Sequence, residues 1–202
     1  MNFMKKSKNN ILKKITMVLC TMAVTIGVIG SKPITANADT FRYKMGNLQP
    51  SKVHTIYYYV EGEKIKNLTP IEQWGNASSK FKLVKTTVKK NAAIVIYNKT
   101  QSNSDKAGTT KWYNTKGKSV NPNKENWSKV NIYIYINAYT NKKGNYNYTL
   151  AHEVGHALGI AHTTVNKYSI MKAGVDPSSN KMDNAYAITS YDKSQIIKKW
   201  GK

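Results

Sequence analysis

Three of the four histidines in this 202-residue chain lie within eleven residues, in HEVGHALGIAH (152–162). His152 and His156 are four apart, so on an α-helix they stand one above the other on the same face. There they can aim imidazole nitrogens at one ion, with zinc–nitrogen bonds of roughly 2.0–2.1 Å. Glu153 is one step round the helix, too far to ligate comfortably but well placed to reach a water on the metal. Gly159 predicts a helix end, because glycine readily takes the left-handed conformation found there. The chain can then turn back and bring in His162 as a third ligand. Three neutral histidines leave a fourth position for water, as a catalytic rather than a structural zinc site requires. Zinc in such a site lowers the pKa of its water to about 7 and polarises a carbonyl, and Glu153 is placed to act as general base. A helix carrying surface histidines by accident would not explain the glycine and third histidine at these spacings. His54 stands alone in a strand pattern and is read as structural or exposed.

The elements that must hold this cluster can be read from periodicity. VHTIYYYV (53–60) is rich in β-branched and aromatic residues and predicts a strand. LTPIEQWGNAS carries helix-start signals, with Thr69 as N-cap, Pro70 at the first position and Glu72 three residues after the cap. KFKLVKT (80–86) alternates like a half-buried strand, and AAIVIYN (92–98) reads as a buried one. Residues 99–129 are a polar excursion with a short edge strand at TTKWYN (109–114). VNIYIYIN then alternates, with Val130, Ile132, Ile134 and Ile136 on one face and Asn131, Tyr133 and Tyr135 on the other. YTLAHEVGHALG predicts the histidine-bearing helix, capped by Thr149. TSYDKSQIIKKW predicts a last helix burying Ile196, Ile197 and Trp200. Strands with one early crossover helix and a long helix behind them make an α+β domain.

The first 38 residues read as a separate piece. A lysine-rich start precedes the apolar run ITMVLCTMAVTIGVIG, and Ala36 and Ala38 form an A-x-A site, the layout of a secretory signal. The expected division is a signal peptide over residues 1–38, cut after Ala38, and one domain over 39–202, secreted and extracellular. That cut removes Cys20, the only cysteine, and leaves no thiol chemistry or disulfide. The net charge is +22; six of the 32 basic residues and none of the ten acidic ones precede residue 39, so the remainder carries +16. Such a surface favours anionic partners, cell-wall or surface polymers among them. The excess is almost wholly lysine, with Arg42 the one arginine. Specific nucleic-acid readers use arginine and recognisable modules, so none is expected here, nor is stable membrane insertion after the cut. The domain is expected to be a monomer.

HExxHxxGxxH followed by a methionine turn is the metzincin signature. His152, Glu153, His156, Gly159 and His162 fill it, and SIM (169–171) supplies the methionine. With YSIM and the closing YDKSQIIKKWG, the chain most resembles small bacterial secreted matrixins. The resemblance implies a zincin-type catalytic domain: a twisted mixed five-stranded sheet above a substrate cleft, an active-site helix beneath, a Met-turn and a C-terminal helix. It also implies one catalytic zinc on His152, His156 and His162, Met171 as an apolar floor, and an extended peptide pairing with TTKWYN as the edge strand. Position 173 is alanine, so the additional tyrosine ligand of other metzincins is not expected. Residues 99–129 contain no histidine for a second zinc, and no cysteine remains for a cysteine switch. Calcium is supported only by the resemblance, because Asp105, Asp176 and Asp183 are scattered and match no loop motif.

The function expected is zinc-dependent endopeptidase action on protein or peptide substrates. Two readings stay open beside it: hydrolysis of a cell-wall peptide amide, and a cationic surface-binding protein whose zinc is not catalytic. Glu153 weighs against the last, since a structural site gains nothing from a carboxylate beside the water position.

Overall fold

A computed structural model describes residues 40–46, 53–62, 65, 67–100, 106–135, 146–165, 168–173 and 186–202. The expected signal segment, Ile136 and the three candidate calcium ligands fall outside these. Six strands form one sheet: β1 (His54–Glu61), β2 (Phe81–Lys85), β3 (Ile94–Lys99), β4 (Gly108–Tyr113), β5 (Ser119–Val120) and β6 (Lys129–Tyr135). Their order is β2-β1-β3-β6-β4-β5. The first four in that order run parallel, while β4 is antiparallel to both β6 and β5. The mixed five-stranded sheet expected from the sequence is therefore present, and the two-residue β5 adds to its outer edge. It pairs only with Trp112 and Tyr113, so Gly108–Lys111 of β4 keep an outer side with no strand on it among the described residues.

Among the described residues three α-helices accompany the sheet: α1 (Thr69–Gly75), α2 (Tyr146–Ala157) and α3 (Ser190–Trp200). Alternation decides which strand face meets them. In β6, Val130, Ile132 and Ile134 are each fully buried while Asn131, Tyr133 and Tyr135 are not. These isoleucines pack with Ile94 and Ile96 of β3, Trp74 of α1 and Leu150 and Val154 of α2 in one apolar core. Burying each such side chain contributes on the order of 1.5–3 kcal/mol. Two indole N–H groups of this core find backbone acceptors beside the site. Trp74 donates to the Ala151 carbonyl (2.9 Å) and Trp200 to that of Leu158 (2.8 Å), so both tryptophans tie their surroundings to α2 and the turn after it.

The helix caps differ from expectation in two places. Thr69 is inside α1, whose cap is Leu68, because Asn67 Oδ1 accepts the Thr69 N–H (3.0 Å) and turns the chain one residue earlier. Thr149 is also a helical residue, since α2 is already formed at Tyr146 and Thr149 is buried against β4. In α3 the buried positions are Asp192, Gln195, Ile196, Lys199 and Trp200, and Ile197 is 37% exposed. The helical repeat turns 197 away from the stripe set by 192, 196 and 199.

Candidate active site and metal centre

The histidines lie where α2 ends and turns. Gly159 has φ +94°, a value that disfavours any side chain, and its N–H and that of Ile160 bond back to His156 and Gly155. This reversal carries His162 back toward the helix. The Nε2 atoms of His152 and His156 each lie 3.1 Å from Nε2 of His162, and all three ligand atoms are within 4.8 Å of one another. His54 is not in this cluster, as expected.

The other ring nitrogens show what the cluster requires. His152 Nδ1 donates to the Ile170 carbonyl (2.7 Å) and His156 Nδ1 to that of Ile160 (2.8 Å). Each ring's single proton is thereby placed on Nδ1, leaving Nε2 as a bare lone pair. Two such lone pairs face His162 Nε2, whose one proton could satisfy only one of them. A cation satisfies all three. Burial also holds the rings neutral, which is the ligating form. It lowers the His152 pKa to about 4, that of His156 well below the ordinary imidazole range, and that of His162 in the same direction. The donor set fits a zinc ion.

Glu153 is 6% exposed. Burial pushes its pKa up to about 7, against a downward pull from the Thr110 hydroxyl and the charge of Lys106. Thr110 Oγ1 lies 2.6 Å from Glu153 Oε2 and 3.1 Å from the Glu153 backbone carbonyl. It therefore fixes the carboxylate to β4, the strand opposite the helix. Gly108 makes the approach of β4 feasible: a Cβ there would sit 2.8 Å from Glu153 Cγ and Oε1 and from Thr149 Cγ2. A cleft of roughly 370 Å³ opens between β4 and α2, lined by Thr110, Trp112, Tyr148, His152, Glu153 and Lys172 among others.

Met171, 1% exposed, packs its sulfur against Gly155 of α2, with no space there for a Cβ. Its turn is set by Asp192, a fully buried residue of α3. One carboxylate oxygen accepts the Ser169 hydroxyl. The other accepts the N–H groups of Ile170 (3.3 Å) and Thr189 (2.8 Å) and the Thr189 hydroxyl (2.7 Å). Ile170, fixed in this way, presents the carbonyl that orients His152 and also accepts Tyr148 Oη (3.1 Å). A second flank comes from residues 40–46. Phe41 N–H bonds to the Gly159 carbonyl (2.8 Å), and the Phe41 ring meets Trp112 (5.1 Å) and His156 (5.9 Å).

Sequence reasoning placed the three clustered histidines, Glu153, Gly159 and Met171, and all of these meet here. It missed Thr110, Gly108, Phe41 and the Ser169–Asp192 pair. Two signals were available. Thr110 and Trp112 share one face of an alternating strand, and T-x-x-D at 189–192 has the form of a capping box.

The matrixin family pattern matches residues 68–201. The chain belongs to the matrixins. The family is one of zinc-dependent peptidases, and its pattern spans every site residue above except Phe41. Among solved structures, that of myroilysin is similar at 13% identity with a TM-score of 0.43, over 73% of this chain and 93% of that one. No curated protein sequence matches significantly.

Proposed function

We propose that this matrixin is a secreted endopeptidase that holds one zinc on His152, His156 and His162 and hydrolyses peptide bonds in extended substrates, with Glu153 as general base. The observation that carries the reading is the convergence of three imidazole nitrogens, two of them held as bare lone pairs, beside a buried carboxylate. Bound zinc would supply Lewis-acid polarisation of the carbonyl and acidification of a water.

The chain's own residues do the rest. Glu153 takes a proton from the attacking water and passes it to the leaving amine. Burial has raised its basicity toward neutral pH, which suits a group that both accepts and donates. Thr110 holds Oε2, leaving Oε1 for the proton. The Ile170 and Ile160 carbonyls keep His152 and His156 in the ligating tautomer. A peptide lying extended in the cleft meets the unpaired outer side of β4 at Gly108–Lys111, whose backbone groups can pair with it.

Glu153→Gln is expected to retain about one equivalent of metal while losing at least 10²–10⁴-fold in peptide hydrolysis, and a chelator should abolish the parent's activity. Mapping cuts in a diverse peptide library provides the test. Hydrolysis by the glutamine variant at the parent rate would sink the assignment, and a parent that cuts cell-wall amides but no ordinary peptide would favour the narrower amidase reading. Export with a single cut after Ala38 is part of the proposal, supported by the A-x-A site; sequencing the first residues of the exported protein checks it.

A further inference from the structure

The side of the sheet turned away from the helices carries a cross-strand array of tyrosines and lysines. Tyr97 of β3 and Tyr133 of β6 are in register and stack with ring centroids 5.2 Å apart and planes 12° from parallel. The Lys89 ammonium lies 4.9 Å from the Tyr97 centroid, on the β1 side where it pairs with Glu61 (2.9 Å). Lys99 also reaches that ring (5.4 Å), and Lys111 of β4 lies 5.5 Å from the Tyr133 centroid. The sequence across the strands is thus ammonium, ring, ring, ammonium, with neighbouring strands roughly 4.8 Å apart. Tyr133 Oη accepts Asn131 Nδ2 (3.3 Å) and bonds with Tyr113, which extends the hydroxyl row. The six strands contain Lys82, Lys85, Lys99, Lys111 and Lys129 against one acid, Glu61.

Two features of this face define its partner. First, the faces of the Tyr97 and Tyr133 rings are covered by each other or by ammonium groups, so neither a nucleobase nor a sugar ring can stack on this pair, which offers ring edges beside positive charge. Second, the charge is all ammonium. Lysine meets phosphate as a point charge, without the planar two-point contact of a guanidinium fork, which suits diester groups repeated along a flexible chain. The ammonium–ring contacts are weak enough at an exposed site for an anion to share the cation. We infer that this face docks a linear phosphodiester polymer without bases, of the poly(glycerol phosphate) kind, and so tethers the protein with its cleft, on the opposite side of the sheet, left open.

The test is titration of the exported protein with fluorescent poly(glycerol phosphate) in low salt. A double variant, Lys89→Gln with Lys99→Gln, is compared with Lys193→Gln and Lys198→Gln, exposed lysines of α3. Both doubles remove the same charge. The sheet double should weaken binding at least about fivefold and the control less than about twofold, with peptide hydrolysis unchanged in both. Equal losses would assign binding to overall charge and overturn the site, as would a parent that does not bind. An oligothymidylate of equal phosphate number that binds as tightly as the polymer would overturn the base-free partner. If the sheet double has lost hydrolysis, Lys99→Gln alone decides, with about a twofold loss expected and no loss counting against the site.

Discussion

Thr110 shows how one hydroxyl can hold the carboxylate proposed as the base. Its bond to Glu153 Oε2 is short (2.6 Å) and inside the protein, where a hydrogen bond to a charged acceptor contributes on the order of 1.5–3 kcal/mol. Thr110→Val keeps the shape and removes the donor. The expected result is a fall in kcat of about tenfold or more, with metal content unchanged and Thr110→Ser restoring most of the rate. Wild-type kcat in the valine variant would mean that Glu153 is positioned by packing alone. The histidines and Glu153 were legible from the sequence because ligand spacing on a helix is a local property. Thr110 was not, because its role depends on β4 lying antiparallel to β6 and close to α2, a juxtaposition made by residues more than forty positions away.

At the scale of elements, α3 and the Met-turn are one unit. Asp192 takes two hydroxyls and two backbone N–H groups onto one buried carboxylate, and the Ile170 carbonyl it steadies orients His152. Asp192→Asn should leave donors facing a donor. The expected cost is on the order of 3 kcal/mol, or roughly 6–12 °C in Tm for a domain of this size, together with weaker zinc retention against a chelator. Zinc retention and Tm both equal to the parent would remove Asp192 from the site's support. The same local-versus-distant divide decided what periodicity revealed. It found β1, β2, β6 and α3 because each turns one regular face inward, and β3 because its first three residues form a wholly buried apolar run. Its assignment of Ile197 to the core overlooked that the buried stripe follows 192, 195, 196, 199 and 200. The two caps were misassigned because the signals at Thr69 and Thr149 were outweighed by an Asn67 turn and by a helix that begins earlier.

Across the whole molecule, the ends of the described domain meet at Lys199. Its ammonium donates to the carbonyls of Phe41 and Tyr43, joining the segment that flanks His156 to the last helix. Burial lowers its pKa to about 8, with Lys44 adding to the effect. An unfolded lysine holds its proton to about 10.5, so between pH 8 and 10.5 the unfolded chain binds the extra proton. Stability from this group therefore rises with pH through that window and is lost as pH falls through 8. Measured as Tm, the parent should gain on Lys199→Met from pH 8 to pH 10. A constant difference, or one of opposite sign, would show that the two carbonyls compensate the buried charge in full.

The Asp192 clamp also bears on when a chain of this kind becomes able to cut. Every ligand and the base precede Asp192 in sequence, yet the loop that orients His152 takes its shape from a carboxylate on α3. A chain threading outward through an export channel from its N-terminal side would have emerged past residue 162 with its histidines in place but unsteadied. On the proposed export route its first competent moment would come only when α3 has also cleared the channel and closed on the Met-turn, so the order of residues along the chain would itself delay proteolysis until export is complete.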